Sequence, residues 1–345
     1  MSRDQFDKTV IGCMHKYGVK ESVEYTPRGW GGNVKFFGGV LLPDGRVYNV
    51  PASYSKAVIY DPSTDTVTET AAIGSGSNKF FGGVLLPDGR VYNVPASYSK
   101  AVIYDPSTDT VTETPEIGNN STYRFYGGVL LPDGRVYNVP YNYTNAAIYD
   151  PSTNTVSYTP AIGSGSAKFL GGVLLPDGRV YNVPYNHPTA AIYDPSTNTV
   201  TNTPAIGNND RFSGGVLLSD GRVYNVPQYY PNAAIYDPST NTFTETPAIG
   251  SGSAKFFGGV LLPDGRVYNV PSIYSNAAIY DPTTNTVTET PAIGSGNYKF
   301  YGGVLLPDGR VYNVPCNNYN AALVSTGTYP PQDISIVTHP YFNKF

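Results

Sequence analysis

Short apolar runs, each stopped by Pro, Gly or Asp, alternate along this chain with Thr-rich polar stretches, and the alternation recurs at a fixed period. The unit Lys255–Ala292 serves as the type example. Phe256–Leu262 is a first run, ending at Pro263-Asp264-Gly265, which is the signature of a type I turn followed by a left-handed glycine. Arg266–Val270 is a second, stopped by Pro271, which has no N–H to give to a ladder. Ala277–Tyr280 is a third, closing at Asp281-Pro282 and a polar turn through Asn285. Thr286–Thr290 alternates Thr with Val and Glu, so one of its faces is wet, as an outermost strand requires. Nothing of helical period separates the runs. The pattern predicts an antiparallel four-stranded meander and excludes a parallel α/β unit.

The phrase Gly-Gly-Val-Leu-Leu-Pro-Asp-Gly-Arg-Val-Tyr-Asn-Val-Pro begins at Gly38, Gly82, Gly127, Gly171, Gly258 and Gly302, and a copy at Gly214 carries Ser219 in place of the first Pro. The spacings are 44, 45, 44, 43, 44 and 44 residues. Seven units of this length match four-stranded propeller blades, whose period is roughly 40–50 residues. Lys35–Thr70 and Lys79–Thr114 are identical, a sign of internal duplication. The seventh copy lacks a Thr-rich fourth run and continues Ala321-Ala322-Leu323-Val324. One period upstream of Val67–Thr70 lies Val23–Thr26, so the segment 22–27 is expected to supply the missing outer strand and close the ring.

The expected architecture is all-β: a seven-bladed β-propeller of four-stranded antiparallel blades over residues 22–324, with a helical N-terminal arm (1–21) and a C-terminal tail (325–345). The arm reads as an amphipathic helix over 1–18, with Phe6, Val10, Ile11 and Met14 in one stripe and Gly18 as its stop. Arg3, Asp4 and Asp7 interrupt any secretory-signal core. The tail holds one more strand candidate, Ile334–Thr338.

Composition adds three exclusions. Aromatic residues make up 13% of the chain, too many rings for a disordered chain. No apolar run reaches the ~18 residues of a membrane helix. A net charge of −4 offers no basic excess for phosphate, so direct nucleic-acid and membrane partners are not expected. The low charged fraction of 14% follows from one sparsely charged unit repeated seven times.

Tyr-Asp-Pro-x-Thr-Asn-Thr together with the paired glycines resembles a kelch-type blade over about Ser22–Leu323. No Trp stands on the outer strand, however, and the glycine pair opens the first strand instead of closing the second. The opening of the chain, with Phe6, Ile11 and Tyr17-Gly18-Val19 before Thr26-Pro27, resembles small head–tail joining proteins of tailed bacteriophages. The ending Pro-Tyr-Phe-Asn-Lys-Phe resembles repeat proteins of phages and giant viruses. These resemblances imply a non-enzymatic virion component, assembled in the host cytoplasm and held to other virion proteins through arm or tail.

Two sets of residues are candidates for binding. Lys35, Lys79, Arg124, Lys168, Arg211, Lys255 and Lys299 precede the seven first strands. They read as solvated side chains at strand starts or, alternatively, as a basic ring at the channel mouth that attracts an anion or acidic partner. The loops between second and third strands vary from blade to blade and carry Tyr54, Tyr98, Tyr143, His187, Tyr230, Tyr274 and Asn318. Tyr and Asn make adaptable contacts at binding surfaces, so a host-surface glycan bound with avidity is the alternative function. Asp61-Pro62-Ser63-Thr64-Asp65 spaces its oxygens like part of a calcium loop but lacks the Gly and distal Glu, and reads as an Asx turn. His15, His187 and His339 occupy unrelated repeat positions, and Cys13 and Cys316 suggest no disulfide framework. No metal, cofactor or catalytic residue is expected, because no blade departs chemically from its siblings.

Overall fold

The computed structural model describes residues 21–27, 29–118, 122–206 and 211–327. Seven four-stranded antiparallel sheets follow one another as blades, and the described residues contain no helix. The expected arm helix over 1–18 and the tail strand at 334–338 lie outside the described residues. In the sixth blade the strands are Phe256–Leu261, Val267–Pro271, Asn276–Asp281 and Thr286–Ala292. The second strand therefore runs through its proline, because Pro271 pairs with Phe256 at the end of the ladder where no further N–H is needed. In the seventh blade Phe300–Leu305, Val311–Pro315 and Ala322–Ser325 are joined by Ser22–Tyr25, which pairs antiparallel with the third strand in the register Val23 to Val324.

The paired glycines let the blades meet. The first of each pair, Gly38 and its six counterparts, has a positive φ between 79° and 102°. A Cβ on Gly82 would stand 3.2 Å from the Cα of Gly127, so these seven residues form a constriction around the axis that no side chain fits. The register of each first strand shifts between the leading Phe and the second glycine, a bulge that bends the strand toward the axis. The second glycine admits the neighbouring blade: a Cβ on Gly83 would lie 2.8 Å from the side chains of Val40 and Val50.

Between blades the core is built around the dipeptide Tyr-Asn in the second strand. Successive side chains of a strand point to opposite faces, so Tyr and Asn serve different interfaces. Tyr48 Oη donates to Asn93 Oδ1 of the next blade at 3.0 Å, and the pattern continues through Tyr92–Asn138, Tyr137–Asn182, Tyr181–Asn225, Tyr224–Asn269 and Tyr268–Asn313. Tyr312 donates to Asn49 at 3.1 Å and so joins the seventh blade to the first. Each Asn also donates its Nδ2 to a third-strand carbonyl of its own blade, as Asn93 does to Val102 at 2.9 Å. Both members of every pair are fully buried. A third-strand tyrosine stacks on the belt tyrosine of the preceding blade, Tyr104 on Tyr48 at 5.2 Å for example.

The two faces of the disc differ. One carries the Pro-Asp-Gly turns, where Asp44 and Arg46 and their counterparts form exposed pairs, and the polar turns between third and fourth strands. Those polar turns are Asx turns: Asp61 Oδ1 accepts from the Ser63 N–H at 2.9 Å and from its hydroxyl at 2.6 Å. The fifth residue, Asp65 or Asn154 and their counterparts, has φ of 52–55°, which Asp and Asn tolerate, and its Oδ1 accepts from the third-strand tyrosine hydroxyl, as in Tyr60 to Asp65 at 3.0 Å. The opposite face carries the variable loops and the blade-to-blade connections.

Removing one phenolic hydroxyl tests the belt. Tyr137→Phe leaves the Asn182 carbonyl oxygen buried without its donor, and urea unfolding is expected to show a loss of about 1–3 kcal/mol. An unchanged midpoint would mean that packing alone holds the blades.

Candidate functional site

The seven cations at the strand starts do not ring the channel mouth with open charge. Each is 1% exposed. Their stems run into the crevice between blades, and their charged ends meet loop carbonyls. Lys79 Nζ donates to the carbonyls of Ala52 and Tyr54 at 3.1 and 2.7 Å, and Lys168 to those of Tyr141 and Tyr143 at 3.2 and 2.7 Å. Lys299 reaches Ser272 and Tyr274 in the same way, Lys255 reaches Tyr230, and Lys35 reaches Gly32. Arg124 donates to the Tyr98 carbonyl and Arg211 to that of Ile206. Lys79, Arg124, Lys168, Lys255 and Lys299 thereby staple the variable loop of the preceding blade to their own, while Lys35 and Arg211 hold carbonyls outside those loops. Desolvation by burial lowers Lys79, Lys168, Lys255 and Lys299 to about 8.

The variable-loop row is also largely structural. Its rings pack on the leading Phe of the first strands, Tyr98 on Phe80 at 5.5 Å and His187 on Phe169 at 5.1 Å. Tyr54, Tyr98, Tyr230 and Tyr274 donate their hydroxyls to Glu69, Glu113, Glu245 and Glu289 of the fourth strands at 2.6–3.0 Å. Tyr143 packs against Tyr158 instead, His187 Nδ1 meets the Thr189 carbonyl at 2.9 Å, and Asn318 donates to the Asn320 carbonyl at 2.8 Å. The row sits between first and fourth strands, away from the axis. The structure does not gather it into one site.

What gathers at the axis is a position that the sequence reading passed over. The residue before each glycine pair is Phe37, Phe81, Tyr126, Leu170, Ser213, Phe257 or Tyr301. These seven side chains, with the glycine ring beneath them, line an apolar well of about 70 Å³. Five rings crowd together, with centroids of 4.4 Å for Phe37–Phe81, 4.5 Å for Phe37–Tyr301, 4.7 Å for Phe81–Tyr126 and 4.0 Å for Phe257–Tyr301. Leu170 and Ser213 break the circle in blades 4 and 5, and Ser213 Oγ donates to the Phe256 carbonyl at 2.8 Å.

A rim follows from the residue after each second strand: Ala52, Ala96, Tyr141, Tyr185, Gln228, Ser272 and Cys316. Ala52, Ala96 and Cys316 pack into one cluster with Phe37, Phe81, Tyr126, Phe257 and Tyr301. Tyr141 lies 5.5 Å from Tyr126 and 6.5 Å from Tyr185. Burial raises the phenols of Tyr126 and Tyr301 and pushes the Cys316 thiol up to about 12. At neutral pH these groups keep their protons, so they contribute donors and apolar surface. Here the blades do depart from one another, contrary to expectation. The signal was a position reading Phe, Phe, Tyr, Leu, Ser, Phe, Tyr inside the most constant phrase of the chain.

The staple lysines give the fold a pH dependence. Unfolding returns them to their ordinary range near 10.5, so between pH 8 and 10.5 the unfolded chain binds more protons and stability rises with pH. The Cys316 thiol and the buried phenols act in the opposite sense, at higher pH. The urea midpoint is therefore expected to rise between pH 7.5 and 9, and less steeply in Lys168→Met. A flat or falling midpoint would contradict the assignment.

No protein-family model matches the chain, and no curated protein does. Solved structures do. A streptogramin B lyase has a TM-score of 0.75 at 14% identity, covering 88% of this chain and 97% of its own. A catalytically inactive virginiamycin B lyase from Staphylococcus aureus with quinupristin has 0.76 at 13%, covering 89% and 99%. A fungal alcohol oxidase in complex with copper has 0.64 at 15%, covering 88% and 79%. These matches establish the propeller fold and supply nothing for the kelch or phage resemblances. The lyases and the oxidase are enzyme propellers, which points away from the expected non-enzymatic virion protein and its lectin-like alternative; the likeness itself shows the fold alone.

Proposed function

We propose that this propeller takes a small molecule as its substrate, with an aryl or branched-alkyl group of that molecule entering the axial well from the variable face. One observation carries the reading: Leu170 and Ser213 interrupt a circle of rings, so the apolar well that all seven blades line at the axis has an asymmetric wall. Concave apolar sites with few polar groups are the usual form of small-molecule sites. The lyases of similar fold support the reading in kind, since one of them was solved with the small molecule quinupristin. The residues at the well hold and orient the ligand. Phenols and a thiol kept protonated by burial are hydrogen-bond donors there, not bases.

We further propose that the strand Ser22–Tyr25 is the latch that closes the ring and keeps the well in shape. Its pairing with Ala322–Ser325 supports this, as does the Asn320 side chain donating to the Thr26 carbonyl.

Two measurements test these readings. Ser213→Phe installs the residue used in blades 1, 2 and 6 and fills the gap. Equilibrium binding of N-benzylacetamide is expected to weaken at least tenfold while the fold survives, and undiminished binding would place the ligand elsewhere. Removing residues 1–27 is expected to lower the melting temperature by several degrees; no change would show that the ring closes without the latch.

A further inference from the structure

The residue just before the strand-start cation is Val34, Asn78, Tyr123, Ala167, Ala254 or Tyr298 in the six blades where it is described. All six have a positive φ, between 49° and 54°. Each is held there by its carbonyl, which accepts an N–H from the variable loop of its own blade. Tyr123 accepts from Asn142 at 3.2 Å and Tyr298 from Asn317 at 3.0 Å. Asn tolerates this region, whereas a bulky side chain is strained in it. Asn78 therefore shows what the backbone prefers, and blades 3 and 7 carry tyrosine instead. Strain of this kind collects at ligand clamps and active sites.

Both tyrosines continue the aromatic wall of the axial well toward solvent. Tyr123 stacks on Phe81, with centroids 5.7 Å and planes 14° apart, and Tyr298 meets Tyr301 edge-on at 6.1 Å. Phe81 and Tyr301 line the well, and both touch Phe37. The contacts make one run, Tyr123–Phe81–Phe37–Tyr301–Tyr298, whose two ends are 37% and 39% exposed. Blades 4 and 6, on either side of Ser213 in blade 5, carry only Ala167 and Ala254 at the strained position. Size points the same way. The well holds about 70 Å³, whereas an apolar cavity that takes up benzene has about 150 Å³. An aryl group therefore enters in part, and the rest of its molecule lies at the mouth.

Resting on the axial-well reading, we infer that Tyr123 and Tyr298 select ligands with a second aromatic ring. The ligand is a small diaryl molecule: one ring enters the well and the other packs on the exposed tyrosines at its mouth. Ring-on-ring contacts add to what burial of area alone supplies. The Tyr123 hydroxyl oxygen accepts from Asn78 Nδ2 at 3.1 Å, so its ring is already in place. A surface fixed before binding loses little freedom when the ligand arrives.

The test compares N-benzylacetamide with N-benzylbenzamide, in which a second ring replaces the methyl group. The full-length chain is expected to bind the diaryl probe at least tenfold more tightly. The double variant Tyr123→Asn/Tyr298→Asn is expected to bind both probes alike, with unchanged affinity for N-benzylacetamide and no loss of melting temperature. Tyr123→Phe/Tyr298→Phe keeps both rings and is expected to keep the preference. Equal binding of both probes by the wild type would overturn the second-ring site and leave the axial well standing. A preference that survives the Asn substitutions would also overturn it, by placing the second ring elsewhere. So would a melting temperature that they lower by several degrees, by making the tyrosines structural. Failure of both probes to bind would overturn the well together with the second-ring site.

Discussion

The hydrogen bond from a tyrosine of one blade to an asparagine of the next is the contact on which the disc depends. It occurs seven times at 3.0–3.1 Å, and the last, Tyr312 to Asn49, links chain segments 263 residues apart. Every asparagine is committed twice, its oxygen to the neighbouring blade and its nitrogen to its own third strand. A buried polar network specifies geometry only when all its members are paired, as they are here. Because the belt is satisfied in every interface, the blades keep one spacing. The side chains nearer the axis are then free to differ.

That division explains what the sequence disclosed. A period near 44 residues, a proline-aspartate-glycine turn and a Thr-rich fourth strand are local signals, and each led to the observed element. The Asx turn was equally legible, because Asp61 and Ser63 interact within three residues. Radial position was not. A repeat establishes which residues are equivalent, but not how far from the axis they stand. Lys79 and its counterparts were read as solvated because lysine is seldom buried. In the fold their stems enter a crevice and their ammonium groups find carbonyls from the preceding loop. The tyrosines of the variable loops looked available for the same reason, and four of them are tied to glutamates one strand away.

The functional expectation failed on a question of symmetry. Seven near-identical units suggested a repeated or purely structural role. Yet the position before each glycine pair varies within an otherwise constant phrase, and the blades converge on it at the axis. Leu170 and Ser213 cost the core some packing, and Gln228 and Ser272 leave polar atoms unpaired, although the repeat itself offers Phe and Ala as stabilising alternatives. Sites of function are where such local sacrifices of stability are expected. All four lie in blades 4 to 6.

A crystal structure of the full-length chain soaked with N-benzylacetamide addresses the central claim most directly. The account requires one molecule per chain, its ring in the axial well beside Leu170 and Ser213. Density repeated in equivalent crevices between all seven blades, with the well empty, would contradict it.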